Sequence, residues 1–191
     1  MSDSVFRLAG LACASGAVLA LSCLGGTAAA APTCFGLPAT PGVTTVVGAG
    51  VTTIEGTAGD DVIIGTGGVD VIYNFGGKDR ICGGNANDRI LAGPGDDSLA
   101  GENSDDILYG GPGNDVVFGG NGSDKLVGGN GNDELHGGAG ADKLNGGSGN
   151  DEVFGENGDD RIDGDNADPF FGIGLDLCDG GTGVNTLRNC P

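Results

Sequence analysis

Aspartate recurs every nine residues, twelve times in unbroken register: Asp61, Asp70, Asp79, Asp88, Asp97, Asp106, Asp115, Asp124, Asp133, Asp142, Asp151 and Asp160. Two residues after each stands an aliphatic, from Ile63 to Ile162. Two residues before each stands Gly, except at Ala86 and Ser104. A short period held without insertion from Glu55 to Ile162 leaves essentially one solution, a coil of stacked repeats in which each unit contacts only its neighbours.

Each unit divides into nine positions, the first units starting at Glu55, Ile64 and Tyr73. Positions two to six are glycine, small or turn-forming, as in Gly110-Gly111-Pro112-Gly113-Asn114, and glycine admits positive φ and close backbone approach. Positions eight, nine and the following one form an extended triplet such as Val116-Val117-Phe118. Side chains alternate across a strand. Position nine is never polar and faces inward; position eight carries Arg80, Arg89, Lys125 or Glu134 and faces water. The expectation is two- to three-residue strands joined by six-residue turns around a thin aliphatic stack.

That stack does not hold the coil alone. A buried aliphatic contributes roughly 1.5–3 kcal/mol, whereas ordering costs about 1–2 kcal/mol per residue of backbone. The chain has 43 glycines, no Trp, and 27 acidic against 8 basic side chains, for a formal charge of −19. Without neutralisation this composition resembles disorder. The charge excludes nucleic acid as a partner, disfavours anionic membrane surfaces, and favours cations. Asp at position seven ends a turn whose carbonyls are free to ligate. Acids at position six (Asp60, Asp96, Asp105, Asp159) or Asn (Asn87, Asn114, Asn132, Asn150) add further oxygens. Hard oxygens without nitrogen or sulfur suit calcium in flexible geometry better than magnesium or softer metals.

The Gly-Gly-x-Gly-x-Asp-x-apolar-x pattern, cleanest at 110–117, 119–126, 128–135, 137–144 and 146–153, resembles the RTX, or haemolysin-type, calcium-binding repeat. The resemblance implies an all-β parallel β-roll, a two-sheet solenoid with two repeats per turn. It also implies that each Asp shares a Ca2+ with the Asp two repeats on and with turn carbonyls. Asp61, Asp79, Asp97, Asp115, Asp133 and Asp151 would then line one edge, the other six aspartates the opposite edge, with up to ten ions. Six turns at ~4.8 Å spacing give a coil on the order of 30 Å long. Several units depart from the pattern: Asn74-Phe75 replaces the glycine pair, Ala92 replaces one glycine, and Thr57, Thr66, Glu102 and Glu156 replace the second glycine.

Residues 1–30 read as a signal peptide, with Arg7, an apolar Leu8–Leu24 and a small-x-small cleavage site at Ala28-Ala29-Ala30. An uncleaved anchor or lipid attachment at Cys23 are the alternatives. Residues 31–54 form an N-terminal cap whose Thr52 replaces the repeat Asp, and 163–191 a degenerate C-terminal cap in which Pro169 stands where the next Asp should be. No membrane span is expected in the mature chain. Cys34, Cys82, Cys178 and Cys190 remain after cleavage; an exported chain suggests disulfides. Four cysteines allow three pairings, of which proximity in sequence favours Cys178–Cys190, leaving Cys34–Cys82.

Tyr73, Leu91, Tyr109 and Val127 form an outward row on one sheet, and Phe118, His136 and Phe154 one on the other. A partner surface and an ordinary hydrophobic ladder both fit these rows. The single His, His136, has no zinc helix or nucleophile elbow around it, so no enzyme is expected. The reading is a secreted or cell-surface calcium-binding protein that folds on extracellular Ca2+. A surface or matrix adhesion spacer with a protein or glycan partner, and a carbohydrate-active accessory module, are the alternatives.

Overall fold

The computed structural model describes residues 33–34, 37–38, 52–165 and 176–190. In chain order the strands are β1 (Thr33–Cys34), β2 (Leu37–Pro38), β3 (Thr52–Glu55), β4 (Val62–Ile64), β5 (Asp70–Tyr73), β6 (Arg80–Gly84), β7 (Arg89–Leu91), β8 (Ser98–Asn103) and β9 (Ile107–Pro112). They continue as β10 (Val116–Asn121), β11 (Lys125–Asn130), β12 (Glu134–Ala139), β13 (Lys143–Ser148), β14 (Glu152–Asn157), β15 (Arg161–Asp165), β16 (Leu177–Asp179) and β17 (Thr186–Arg188). Odd strands from β3 to β17 make an eight-stranded sheet, and even strands from β4 to β16 a seven-stranded one. Both are parallel throughout, each strand pairing with the one two repeats away, as Val117 with Leu135 and Leu126 with Leu144. The chain therefore alternates between sheets and completes a turn every two repeats: the expected two-sheet parallel roll.

The inward row is a single file of aliphatics. Ile54, Ile63, Ile72, Ile81, Ile90, Leu99, Leu108, Val117, Leu126, Leu135, Leu144, Val153 and Ile162 form one cluster, none more than 2 % exposed. Position eight is exposed or half-buried from β5 to β17, as alternation requires.

Strands β8 to β14 run to six residues, longer than the expected triplets. The glycines at positions two and three extend the ladder, Gly120 pairing with Gly138 and Gly129 with Gly147, because backbone pairing does not require a side chain. The third-position glycines adopt φ such as 123° at Gly111 and 131° at Gly129. There a Cβ would collide with the carbonyl of the repeat stacked below.

At the C-terminal end β16 adds to β14 and β17 to β15. Their register is 25 residues rather than 18 (Val153 with Cys178, Ile162 with Leu187), so seven residues are inserted into the thirteenth unit. Cys178 takes the inward position, packs on the end of the core together with Cys190, and is disulfide-bonded to it. Cys82 is outward but buried, in a small cluster with Val62, Ile64 and Ala100. Strand β1 packs against β4 and β6, which carry that cluster. Cys82 is in a disulfide; the side chain of its expected partner, Cys34, lies outside the described residues, as do Val46–Val51 of the expected opening turn and the whole of residues 1–30. No helix among the described residues is long and apolar enough to cross a membrane.

Candidate metal centre

The repeat aspartates sit at the edges where chain leaves turn and enters strand, each no more than 3 % exposed. One carboxylate oxygen has a structural job. The backbone N–H of Asp61 donates to Oδ1 of Asp79, that of Asp79 to Asp97, and that of Asp97 to Asp115, at 2.6, 2.9 and 2.9 Å. The same bond recurs on the other edge, from Asp70 to Asp88, Asp88 to Asp106 and Asp106 to Asp124, at 2.7, 2.7 and 2.8 Å. The structure thus gathers the aspartates into two columns with an 18-residue step, one on each edge.

The second oxygen is left over. Oδ2 of Asp79, Asp88, Asp97, Asp106, Asp115, Asp124, Asp133, Asp142 and Asp160 is buried without a hydrogen-bond partner. A buried carboxylate oxygen with no partner is strongly unfavourable unless something neutralises it. These oxygens face a shaped space. A methyl group built on Gly110 would meet Oδ2 of Asp115 and come 2.8 Å from the carbonyl oxygen of Gly128. Gly65, Gly101, Gly119, Gly128, Gly137, Gly146, Gly155 and Gly164 each stand likewise between the Oδ2 of their own repeat's Asp and a carbonyl of the stacked repeat. That makes nine cradles with Gly110 included, lined by carboxylate and carbonyl oxygens and kept open by the missing side chain. The donor set fits calcium.

Electrostatics agree. Burial pushes the carboxyls of Asp79, Asp106, Asp115 and Asp133 up to about 7. The same cause takes those of Asp88, Asp97 and Asp142 to about 6. The accepted backbone hydrogen bond opposes this, while neighbouring carboxylates in the column reinforce it. Stacked buried acids of one sign resist ionising together unless a cation lies between them.

Four places at the N-terminal end depart from the cradle geometry: Gly56 and Gly83, whose nearest atoms include no stacked carbonyl, and the two where the glycine is replaced. Asn74 replaces the position-two glycine, and its side chain enters the space between Gly56 and Asp61; both atoms of its amide are buried without partners. Ala92 fills the equivalent place one turn on and is fully buried.

Sequence reasoning missed one column member. Asp176 occupies the thirteenth Asp position: it is 4 % exposed, accepts the N–H of Asp151 on Oδ1 at 2.9 Å, and points Oδ2 at Gly164. Pro169 does not mark a lost site; the insertion displaces the Asp by seven residues. Counting nine back from Asn185 reaches Asp176, and nine back from Leu187 reaches Cys178 in the aliphatic slot, so the signal was present. Asn185 closes the other column, accepting the N–H of Asp160 at 2.7 Å.

A family model for the RTX calcium-binding nonapeptide repeat matches the chain in four copies, at residues 46–81, 83–117, 118–153 and 136–169. Together these span well over half of the chain. No curated protein matches it at a significant level.

Proposed function

From the fact that the chain belongs to the RTX calcium-binding nonapeptide repeat family, we propose that it is a secreted, non-catalytic protein whose roll folds on extracellular Ca2+. The observation that carries this is the column of buried, partnerless Oδ2 atoms facing glycine carbonyls. The residues that would hold the ions are Asp106, Asp115, Asp124, Asp133, Asp142, Asp160 and Asp176, which carry those Oδ2 atoms, together with Asp70, whose Oδ2 also accepts the Thr66 N–H at 2.6 Å, and Asp151, both beside glycine cradles of the same kind, with the carbonyls two repeats on. At the N-terminal end the sites of Asp61, Asp79, Asp88 and Asp97 are the less regular members. Bound calcium supplies positive charge between stacked carboxylates. Because those columns exist only in the folded roll, binding free energy becomes folding free energy. Affinities of roughly 10⁻⁴–10⁻³ M would suit an extracellular module.

Secretion is supported by the signal-like residues 1–30 and by the Cys178–Cys190 disulfide, a bond that persists in oxidising compartments. The absence of a catalytic role is supported by His136, whose two ring nitrogens are both held by carboxylates, Glu134 at 2.8 Å and Glu156 at 2.9 Å.

The test is far-UV circular dichroism of residues 31–191, disulfides intact, titrated with calcium from chelator. A cooperative gain of β signal, with magnesium ineffective, is expected. β structure already complete in chelator would sink calcium-driven folding.

A further inference from the structure

The roll has two outer faces, and their charges are opposite. Arg89, Lys125, Lys143 and Arg161 occupy position eight on β7, β11, β13 and β15, and Arg188 position one on β17; all five are exposed. Five of the chain's eight Lys and Arg therefore lie on the eight-stranded sheet, against Glu55 and Asp163 in the same outward rows. These two rows thus carry a net +3 (five minus two) in a chain whose total is −19. None of the five makes an ion pair among the described residues. On the seven-stranded sheet the outward rows carry Glu134, Glu152 and Asp179 against Arg80 alone.

The apolar rows follow the same order. On the basic face Ile107 and Tyr109 of β9 precede Lys125 and Lys143 of β11 and β13 along the coil. On the acidic face Val116 and Phe118 of β10 precede Glu134 and Glu152 of β12 and β14. Both rows step one strand per turn, so their spacing is common, about 4.8 Å. Arg89 and Lys125 lie over the Tyr109 ring at 5.6 and 5.3 Å. On the other face Phe118, His136 and Phe154 stack with centroids 4.7 and 4.9 Å apart.

We propose that the basic face of one roll docks on the acidic face of a second copy of this chain, calcium-loaded and with its axis parallel. A second copy presents both the apolar pair and the opposite charges at matching spacing; a polyanion would match the charges alone and meet the acidic edges. Exposed ion pairs contribute little each, so the apolar pairs supply adhesion and the charges set orientation. The contact joins two different surfaces and leaves each copy with one of them open, so it propagates into side-by-side stacks rather than closing as a dimer. The inference rests on calcium folding the roll, since only then do the rows align.

Sedimentation velocity of the mature protein, with circular dichroism in parallel, tests this. In saturating calcium at low salt, the weight-average sedimentation coefficient is expected to climb with concentration and to fall towards, without reaching, the monomer value in about 0.5 M NaCl, where the charges are screened and the apolar pairs are not. K125E/K143E and E134K/E152K should each fold with calcium yet stay monomeric; mixed, they should co-assemble into alternating stacks, because the reversed faces of the two variants complement each other as the native ones do. The four-residue combined variant should stack again. A folded, monomeric wild type overturns the proposal and leaves calcium folding intact, as does stacking unaffected by both charge reversals. Monomers whose Lys125–Lys143 face instead captures a sulfated polysaccharide also overturn it. No calcium response in circular dichroism would remove both readings together.

Discussion

At the scale of single residues, one methyl group is enough to close a cradle. Gly110 touches Oδ2 of Asp115 and the carbonyl of Gly128 through the place where a Cβ would stand, so Gly110→Ala occupies the space a cation needs. The variant should bind one calcium fewer per chain, by metal analysis after equilibrium dialysis, while still folding at saturating calcium. Unchanged stoichiometry would mean that the glycine is there for the turn alone. Ala92 and Asn74 already make this substitution naturally, in the N-terminal half. A different residue carries backbone strain. Glu102 stands where the pattern has glycine and is held at φ 79°, a left-handed conformation costing a side-chain-bearing residue about 1–2 kcal/mol. Part of that is offset by the greater freedom of glycine in the unfolded chain. Glu102→Gly should therefore stabilise the calcium-loaded roll by about 0.5–1 kcal/mol in urea melts. The same change removes a carboxylate that raises the pKa of Asp88. A loss of stability would show that Glu102 contributes a contact worth more than its strain.

At the scale of strands and columns, the metal-free roll should be an acid-stable fold. Asp79, Asp106, Asp115 and Asp133 titrate near 7 in the folded columns, against an ordinary value of 3.8, because burial disfavours the charged form. Between those values the folded state holds more protons than the unfolded one, so stability falls as pH rises. It is fully present below about pH 4 and lost through about pH 6–7. In chelator, β signal should be larger at pH 4.5 than at pH 7.5, and calcium should abolish the difference by replacing protons with cations; greater order at pH 7.5 without metal would refute this. The columns were legible in the sequence because the resemblance to the RTX repeat implies two repeats per turn, which sets Asp61 beside Asp79, and because an invariant aliphatic two residues on fixes which way the strand faces. Strand length was not legible: the glycines look like turn, and only the stacked backbone of the next repeat turns them into ladder. The Asn74 side chain entering a cradle was equally hidden, since a substitution does not disclose where its side chain will go.

At the scale of the whole molecule, a stack of repeats is as firm as its ends. The last complete turn depends on the cap, for the N–H groups of Asp151 and Asp160 are satisfied by Asp176 and Asn185, beyond the insertion. Asp176 is hidden from a count carried forward through the insertion and visible only to one carried back from Asn185. The cap is closed on itself by the Cys178–Cys190 bond, across a 12-residue separation; a loop of that size is worth on the order of 3 kcal/mol by the chain-entropy account. In a one-dimensional array that loss stays local, because each turn contacts only its neighbours. The double variant Cys178→Ser/Cys190→Ser should accordingly fold with calcium but lose hydrogen-exchange protection in β15, β16 and β17, with β8 to β12 unchanged. The calcium needed to order the last turn should rise while that for the centre does not. Uniform loss of protection along the coil would instead mean that the roll folds as one cooperative block, with the staple acting on all of it.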